Sequence, residues 1–281
     1  MTGPSDDELL DQARRELTEA GLWDVDGDVA ALAERFLGHA PRPVRVAEFT
    51  AAVAERRARI PLGHLTGTTT FDGLRLVVGS GAFIPRTESV ALVEWAAQPD
   101  VLPTAGTVLD LCSGVGAIGL ALARRRPDAT VCCVERDDTA LQYLRRNATR
   151  LADVTGAVGV LTVDLTEPGC LDAYEAATDL IVANPPYVPP SLRLLPEWAD
   201  HHPRDAIYSG PDGLDLIRRI AALSATTLRP GGWLGVEHDR AQPGAVRQIL
   251  TEHGFTDIVT LTDSAGETRL SVARTATKEP R

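Results

Sequence analysis

The sequence predicts an α/β protein in which a small helical domain and a β-hairpin linker precede a mostly parallel, seven-stranded sheet. Three observations carry that expectation. Apolar residues recur at helical spacing as far as Gly67, side chains alternate from Phe71 to Pro85, and short apolar runs alternate with helical stretches from Val108 onward. A length of 281 residues also exceeds one small domain and suits a catalytic domain with an accessory one. The expected boundaries are residues 1–67 for the helical domain, 68–88 for the hairpin linker and 89–281 for the α/β domain.

Within the first domain, Leu9, Leu10, Ala13 and Leu17 form one stripe, Val29, Leu32, Ala33 and Phe36 a second, and Phe49, Ala52 and Val53 a third. The two prolines between Gly38 and Val44 mark a break, and Ile60-Pro61 is expected to end the last of these helices. In the linker, Leu74, Leu76 and Val78 share a face, with the turn expected at Gly79 and Gly81.

The seven strand-like runs are Val108 to Leu111, Val131 to Val134, Val158 to Val163, Leu180 to Ala183, Trp233 to Val236, Ile258 to Leu261 and Leu270 to Ala273. The first five are separated by helix-length segments, which implies βαβ units. No helix fits between the last two, so they should pair antiparallel at one edge.

Composition narrows the function. Hydrophobic residues at 44% and charged residues at 24% describe a chain able to bury a core. A net charge of −11 argues against affinity built on phosphate neutralisation. Arg124 to Arg126 and Arg145-Arg146 accordingly read as solvated helix faces. Cys112, Cys132, Cys133 and Cys170 show no Cys-x-x-Cys spacing and read as small, reduced residues in or beside the core. The beginning of the sequence is acidic and lacks an apolar core of signal-peptide type, and no stretch approaches membrane-spanning length. A cytoplasmic location is the expectation.

The first strand runs into Val108-Leu-Asp-Leu-Cys-Ser-Gly-Val-Gly-Ala-Ile-Gly119 and then into a helix. Glycines at 114, 116 and 119 permit a tight turn, close approach of a ligand to the main chain, and close packing of helix on sheet. Such a loop also serves dinucleotides. Asp110 shifts the balance, because a carboxylate beside the loop repels a pyrophosphate but suits the sulfonium and ammonium groups of S-adenosylmethionine. Glu135, ending the second strand, can accept from ribose hydroxyls. Asp164, ending the third, can accept from an adenine amino group, with Leu165 beside the ring.

The fourth strand delivers Asn184-Pro-Pro-Tyr187 to the end of the sheet where doubly wound folds keep their active sites. An amide or aniline-like nitrogen is a poor nucleophile because its lone pair is delocalised. The Asn184 side-chain oxygen and the Pro185 carbonyl can each accept one N–H of such a group, aiming the nitrogen at a methyl donor and stabilising the positive charge that develops. Prolines 185 and 186 stiffen the loop, and Tyr187 offers a ring face to the planar group. Asn184, Pro185 and Tyr187 are therefore the candidate catalytic residues.

In these residues the sequence resembles the release factor glutamine methyltransferases, the HemK or PrmC family of class I (Rossmann-like) methyltransferases with a seven-stranded sheet. The resemblance extends to Pro61-Leu-Gly-His-Leu-Thr-Gly67, Gly81-Ala-Phe-Ile-Pro-Arg86, Leu195-Pro-Glu-Trp198, Gly213 to Arg219, Leu228-Arg-Pro-Gly-Gly232 and Val236-Glu-His238. It implies transfer of a methyl group from S-adenosylmethionine to the side-chain amide nitrogen of the glutamine in the Gly-Gly-Gln tripeptide of a class I peptide chain release factor, without a metal. It also implies that the helical domain helps to hold the factor. By the same resemblance Cys112, Ser113, Gly114, Val115, Gly116, Glu135, Leu165 and Asn184 would contact the cofactor. Asn184, Pro185, Pro186, Tyr187 and Arg86 would contact the glutamine.

Two segments depart from the family pattern. Arg86-Thr-Glu-Ser-Val90 stands in place of Arg-Pro-Glu-Thr-Glu, and His202-Pro203 in place of Glu-Pro. A related enzyme acting on a small-molecule amide or amine is therefore an alternative, as is methylation of adenine N6, which Asn-Pro-Pro-Tyr also serves. The acidic chain counts against the second. A noncatalytic cofactor-binding protein would have no use for acceptors aimed at a reacting nitrogen. His201-His202 reads as a surface loop, since adjacent histidines point apart and no third metal ligand is suitably spaced. His64 and His238 could line the cleft, but amide methylation needs no strong base.

Overall fold

The computed structural model describes residues 5–38 and 41–277, and the chain divides into two compact units. The first comprises Met1–Thr69, Val78–Ser80 and Leu194–His201, and the second Thr70–Val77, Gly81–Arg193 and His202–Arg281.

In the first unit α1 (Asp6–Glu19) starts at Ser5, whose side chain accepts from the Glu8 N–H while the Glu8 carboxylate accepts from the Ser5 N–H. This reciprocal cap satisfies two otherwise unpaired donors. Next come α2 (Val25–Phe36), capped by Asp24, and α3 (Arg42–Arg57), with a proline in its first turn. Leu9, Ala13, Leu17, Val29, Leu32, Phe49, Ala52 and Val53 bury together, while Leu10, Ala33 and Phe36 lie at the margin. Pro61 does not end the last helix: α3 has already stopped at Arg57, and Pro61 leads into a short α4 (Leu62–Thr66) closed by Gly67 at φ 76°. Residues 39 and 40 of the expected break lie outside the described residues.

The hairpin pairs β1 (Thr68–Phe71) with β2 (Leu74–Val77). Its turn is Asp72-Gly73, with φ of 45° and 74°, and not Gly79 and Gly81. Asp-Gly is the dipeptide that a tight turn with two positive φ angles selects. Leu74, Leu76 and Val78 are all buried. The Asp72 carboxylate accepts from Arg124 and Arg125. These arginines, expected as a solvated helix face, thus tie the hairpin to its neighbour, and Arg125, together with Arg124, holds the Asp72 carboxyl below its usual range.

The second unit continues through α5 (Val90–Ala96), β3 (Thr107–Leu111), α6 (Ala117–Arg125), β4 (Thr130–Glu135), α7 (Asp138–Thr155), β5 (Gly159–Thr162) and β6 (Thr178–Ala183). The four-residue α8 (Pro196–Ala199) belongs to the first unit. Then follow α9 (Asp215–Thr227), β7 (Leu228–Glu237), α10 (Pro243–Glu252), β8 (Phe255–Thr262) and β9 (Thr268–Thr275). The seven-stranded sheet has the order β5-β4-β3-β6-β7-β9-β8. The first five strands are parallel, and β9 runs antiparallel between β7 and β8. The β8–β9 pair at one edge is the pairing that the missing helix predicts.

Strand order reverses at β3: the chain moves outward to β4 and β5, then returns to the other side as β6. Loops leaving β3 and β6 therefore diverge to opposite faces and open a crevice at the carboxyl ends. Leu111 lies opposite both Val134 and Ala183. That register brings the glycine loop, Glu135 and Asn184 to one end of the sheet.

Candidate active site

The three loop glycines do different work. A side chain on Gly114 would meet nothing within 4 Å, so its φ of 56° and the open space above it serve approach to the main chain. A Cβ on Gly116 would stand 2.4 Å from Leu144, and one on Gly119 2.4 Å from the Cys133 sulfur, so these two permit α6 to pack closely. Cys112 also takes a positive φ of 59°, a conformation that a residue with a side chain adopts at a cost. The Ser113 hydroxyl donates to the Asp110 carbonyl at 2.6 Å, and its N–H donates to the Val134 carbonyl at 3.1 Å, locking the turn. Val115 is buried, and its carbonyl accepts from Asn147 at 3.0 Å.

Asp110 is fully buried. One carboxyl oxygen accepts from the Gly119 N–H at 2.9 Å, and Oδ1 has no hydrogen-bond partner. Burial pushes the carboxyl up to about 7. Glu135 accepts from the Gly114 N–H at 2.8 Å through Oε2, and from the Arg136 and Asp137 N–H groups through Oε1. Three of a carboxylate's roughly four acceptor sites are thus in use, leaving one for a ligand. Asp164 is similar: Oδ1 accepts from the N–H and hydroxyl of Thr166, and Oδ2 from Arg136. The Thr166 N–H, with those other donors, holds its carboxyl down at about 2. Leu165 beside it is buried.

At the end of β6 the Asn184 NH2 donates to the Ser89 hydroxyl oxygen at 3.2 Å. Pro185 is buried, and Pro186 and Tyr187 are half-buried. The Tyr187 carbonyl accepts from Gln242 at 2.9 Å, and a Cβ at Gly213 would stand 2.2 Å from it. Val188 pairs with Tyr208, so the tetrapeptide is anchored just past its end. Burial pushes the Tyr187 phenol up to about 12, which keeps it protonated. Arg86 pairs with Glu88.

Two groups here escaped the sequence reading. Ser89 and Glu237 are 3% and 7% exposed, and Glu237 Oε1 has no hydrogen-bond partner. Burial pushes the Glu237 carboxyl up to about 8. The available signal was positional: Glu237 follows an apolar strand directly, as Glu135 does. His238 is fully buried, with one ring nitrogen 2.8 Å from the Ser271 hydroxyl and the other 2.9 Å from the Asp239 carbonyl, so it is a packed residue. His202, expected on a surface loop, is 7% exposed with its ring centroid 5.1 Å from that of Phe83, because an aromatic neighbour covers it. Among the described residues no group of three or more His, Cys, Asp or Glu side chains is arranged to hold a metal ion. None of the described helices is long and apolar enough to cross a membrane.

A doubly wound sheet with an acid-preceded glycine loop and an Asn-Pro-Pro-Tyr strand end defines a class I, Rossmann-like methyltransferase. The methyltransferase small domain family matches over residues 89–191. A methyltransferase of Pyrococcus furiosus shares the fold with a TM-score of 0.54 at 18% identity, covering 79% of this chain and 99% of that one. A release factor glutamine methyltransferase of Mycolicibacterium smegmatis is 42% identical, covering 94% of this chain and 95% of the relative. One of Streptomyces coelicolor is 38% identical, covering 94% and 96%. The chain belongs to the release factor glutamine methyltransferase family. Membership of a methyltransferase family implies S-adenosylmethionine as methyl donor.

Proposed function

We propose that this chain methylates the side-chain amide nitrogen of a glutamine in a class I peptide chain release factor, in the cytoplasm, using S-adenosylmethionine and no metal. The observation that carries the reading is the direction of Asn184. Its NH2 is committed to Ser89, which leaves its carbonyl oxygen as an acceptor at the strand end beside the glycine loop.

The site's residues fit the cofactor. Gly114 opens onto free space, Asp110 keeps an unbonded buried oxygen, and Glu135 and Asp164 each retain acceptor capacity. Cys112, Ser113, Val115, Gly116 and Leu165 complete that cradle. The cofactor supplies an electrophilic methyl group on a sulfonium. Asn184 and the Pro185 carbonyl accept the two amide protons and hold the nitrogen in line, while Pro186 and Tyr187 shape the wall, with Arg86 assigned to the substrate side. No strong base is required, because the methylated, positively charged nitrogen is acidic and releases its proton readily.

Mass spectrometry of a release factor incubated with this protein and S-adenosylmethionine should show one added methyl group on the Gly-Gly-Gln glutamine. A release factor left unmodified by cofactor-loaded protein would reject this substrate.

The Asp110 assignment makes a separate prediction. A cation favours the ionised carboxylate, so below pH 7, where free Asp110 holds a proton, binding must expel it. Cofactor affinity should therefore rise by up to about tenfold per unit from pH ~5.5 towards 7 and then level off. The cofactor's own α-amino group, with a value near ~8, stays charged across that window. Calorimetric titration should find Asp110→Asn weaker by roughly tenfold at pH ~7.5, with no slope. A flat profile in the parent, or an unchanged slope in the variant, would remove Asp110 from this role.

A further inference from the structure

The Asn-Pro-Pro-Tyr loop is held at both ends. At its start β6 delivers Asn184, whose NH2 donates to the Ser89 hydroxyl oxygen. At its end the Tyr187 carbonyl accepts from the Gln242 side chain at 2.9 Å, and Val188 donates to the Ile207 carbonyl and accepts from the Ser209 N–H. Between these points the chain has little freedom. Pro185 and Pro186 have fixed φ, and a residue before proline is confined to extended conformations, which applies to Asn184 and Pro185 alike. So stiff a segment carries a shift at Tyr187 back to the Pro185 carbonyl.

Gln242 is 9% exposed and stands just before α10, yet its side chain makes no capping bond to that helix. Instead its Oε1 accepts from the Asp239 N–H at 2.8 Å, and its NH2 donates to the Tyr187 carbonyl and, at 3.3 Å, to the Asp212 carbonyl. A backbone N–H only donates and carbonyls only accept, so one orientation of the amide satisfies all three. The base of the side chain is fixed too, because the Gln242 N–H donates to the Asp239 carbonyl at 2.9 Å and the Gln242 carbonyl accepts from Val246. Three loops, those after β6, before α9 and after β7, thus meet on one buried amide. Gly213 makes room for that meeting: at φ 82°, a Cβ there would stand 2.2 Å from the Tyr187 oxygen and 2.9 Å from the Gln242 nitrogen.

We propose that Gln242 is a positioning residue for methyl transfer: its side-chain NH2 pins the Tyr187 carbonyl and so fixes where the Pro185 carbonyl and the Tyr187 ring stand for the reacting amide. The inference rests on the reading of Asn184 to Tyr187 as the holder of that amide.

The test follows single-turnover methylation of a release factor at saturating cofactor, together with cofactor affinity and melting temperature, in the full-length chain and two variants of similar shape. Gln242→Met keeps the length and has no donor, so the rate should fall by roughly tenfold to a hundredfold while cofactor affinity stays within about twofold. In Gln242→Glu one carboxyl oxygen still accepts from Asp239, but the other faces two carbonyl oxygens and can bond them only when protonated. Relative to the parent at the same pH, this variant should be slower than Gln242→Met near pH ~8 and should recover as pH drops towards ~5.5, since burial among acceptors raises a carboxyl. A role in folding alone would lower the melting temperature and leave the rate of the folded enzyme unchanged. Parent-like rates in both variants, equal losses that do not vary with pH, or a loss in cofactor affinity instead of rate would each overturn the proposal. Should Gln242→Met fail to fold, the pH profile of Gln242→Glu decides alone, and a parent-like rate at pH ~8 rejects the clamp. Asn184→Ala is measured alongside. An active Asn184→Ala enzyme refutes the loop's assigned role and the clamp with it, whereas an inactive one beside parent-like Gln242 variants refutes the clamp alone.

Discussion

Asn184→Ala is expected to lower methyl transfer by at least roughly a hundred- to a thousandfold while cofactor affinity stays within about threefold of the parent. The size follows from what one preorganised polar group contributes when it faces charge that develops only in the transition state. The glutamine nitrogen gains positive charge as it loses amide resonance, and the Asn184 carbonyl is held ready for it because its NH2 is already bonded to Ser89. Alanine removes that acceptor and leaves the Ser89 hydroxyl without its donor. Single-turnover methylation rates, with calorimetric cofactor titration on the same preparations, separate the effects. Equal losses in rate and in cofactor affinity would mean that Asn184 shapes the cofactor cradle and does not hold the reacting nitrogen.

Much of this architecture was legible because its causes are local. Alternating strand and helix patterns require a parallel sheet, and the one place lacking a helix, between β8 and β9, is where the sheet turns antiparallel. The glycine loop and Asn-Pro-Pro-Tyr were legible because their chemistry demands particular residue types at fixed spacing beyond a strand. What escaped depends on partners distant in sequence. Ser89 is an ordinary polar residue until the fold sets it against the Asn184 side chain. Arg124 and Arg125 look like a solvated helix face until the Asp72 turn arrives beside them. Leu194–His201 shows no helical-domain pattern, yet it belongs to the first unit because Glu197 meets Arg56. Periodicity reports which face is apolar and is silent about which buried charge will find another.

That buried group yields the other large effect. The Arg56 side chain is 3% exposed, and its guanidinium donates to Asp28 at 2.7 Å, to Glu197 at 3.1 Å and to the Ile60 carbonyl at 3.1 Å. Arg56→Ala strands two buried carboxylates, and the expected loss is about 3–5 kcal/mol in the stability of the first unit. Hydrogen exchange should report it as lost protection in α1 to α3 and in Pro196–Ala199, with little change in the sheet. The loss should also depend on pH. Burial already raises the Asp28 carboxyl above its usual value even with Arg56 beside it, and without the guanidinium it rises further. A carboxyl raised in the folded state contributes stability below its unfolded value and loses it as pH climbs through the folded one. The deficit of Arg56→Ala should therefore be smallest near pH ~4 and grow towards neutrality. Replacing Arg56, Asp28 and Glu197 together by apolar residues of similar volume should recover most of the stability, because desolvating an ion triad costs about as much as its attraction returns. If the triple variant is as unstable as Arg56→Ala, the triad stabilises this unit through its mutual attraction; if it recovers, its role is to specify which segment, Leu194–His201, the three helices accept.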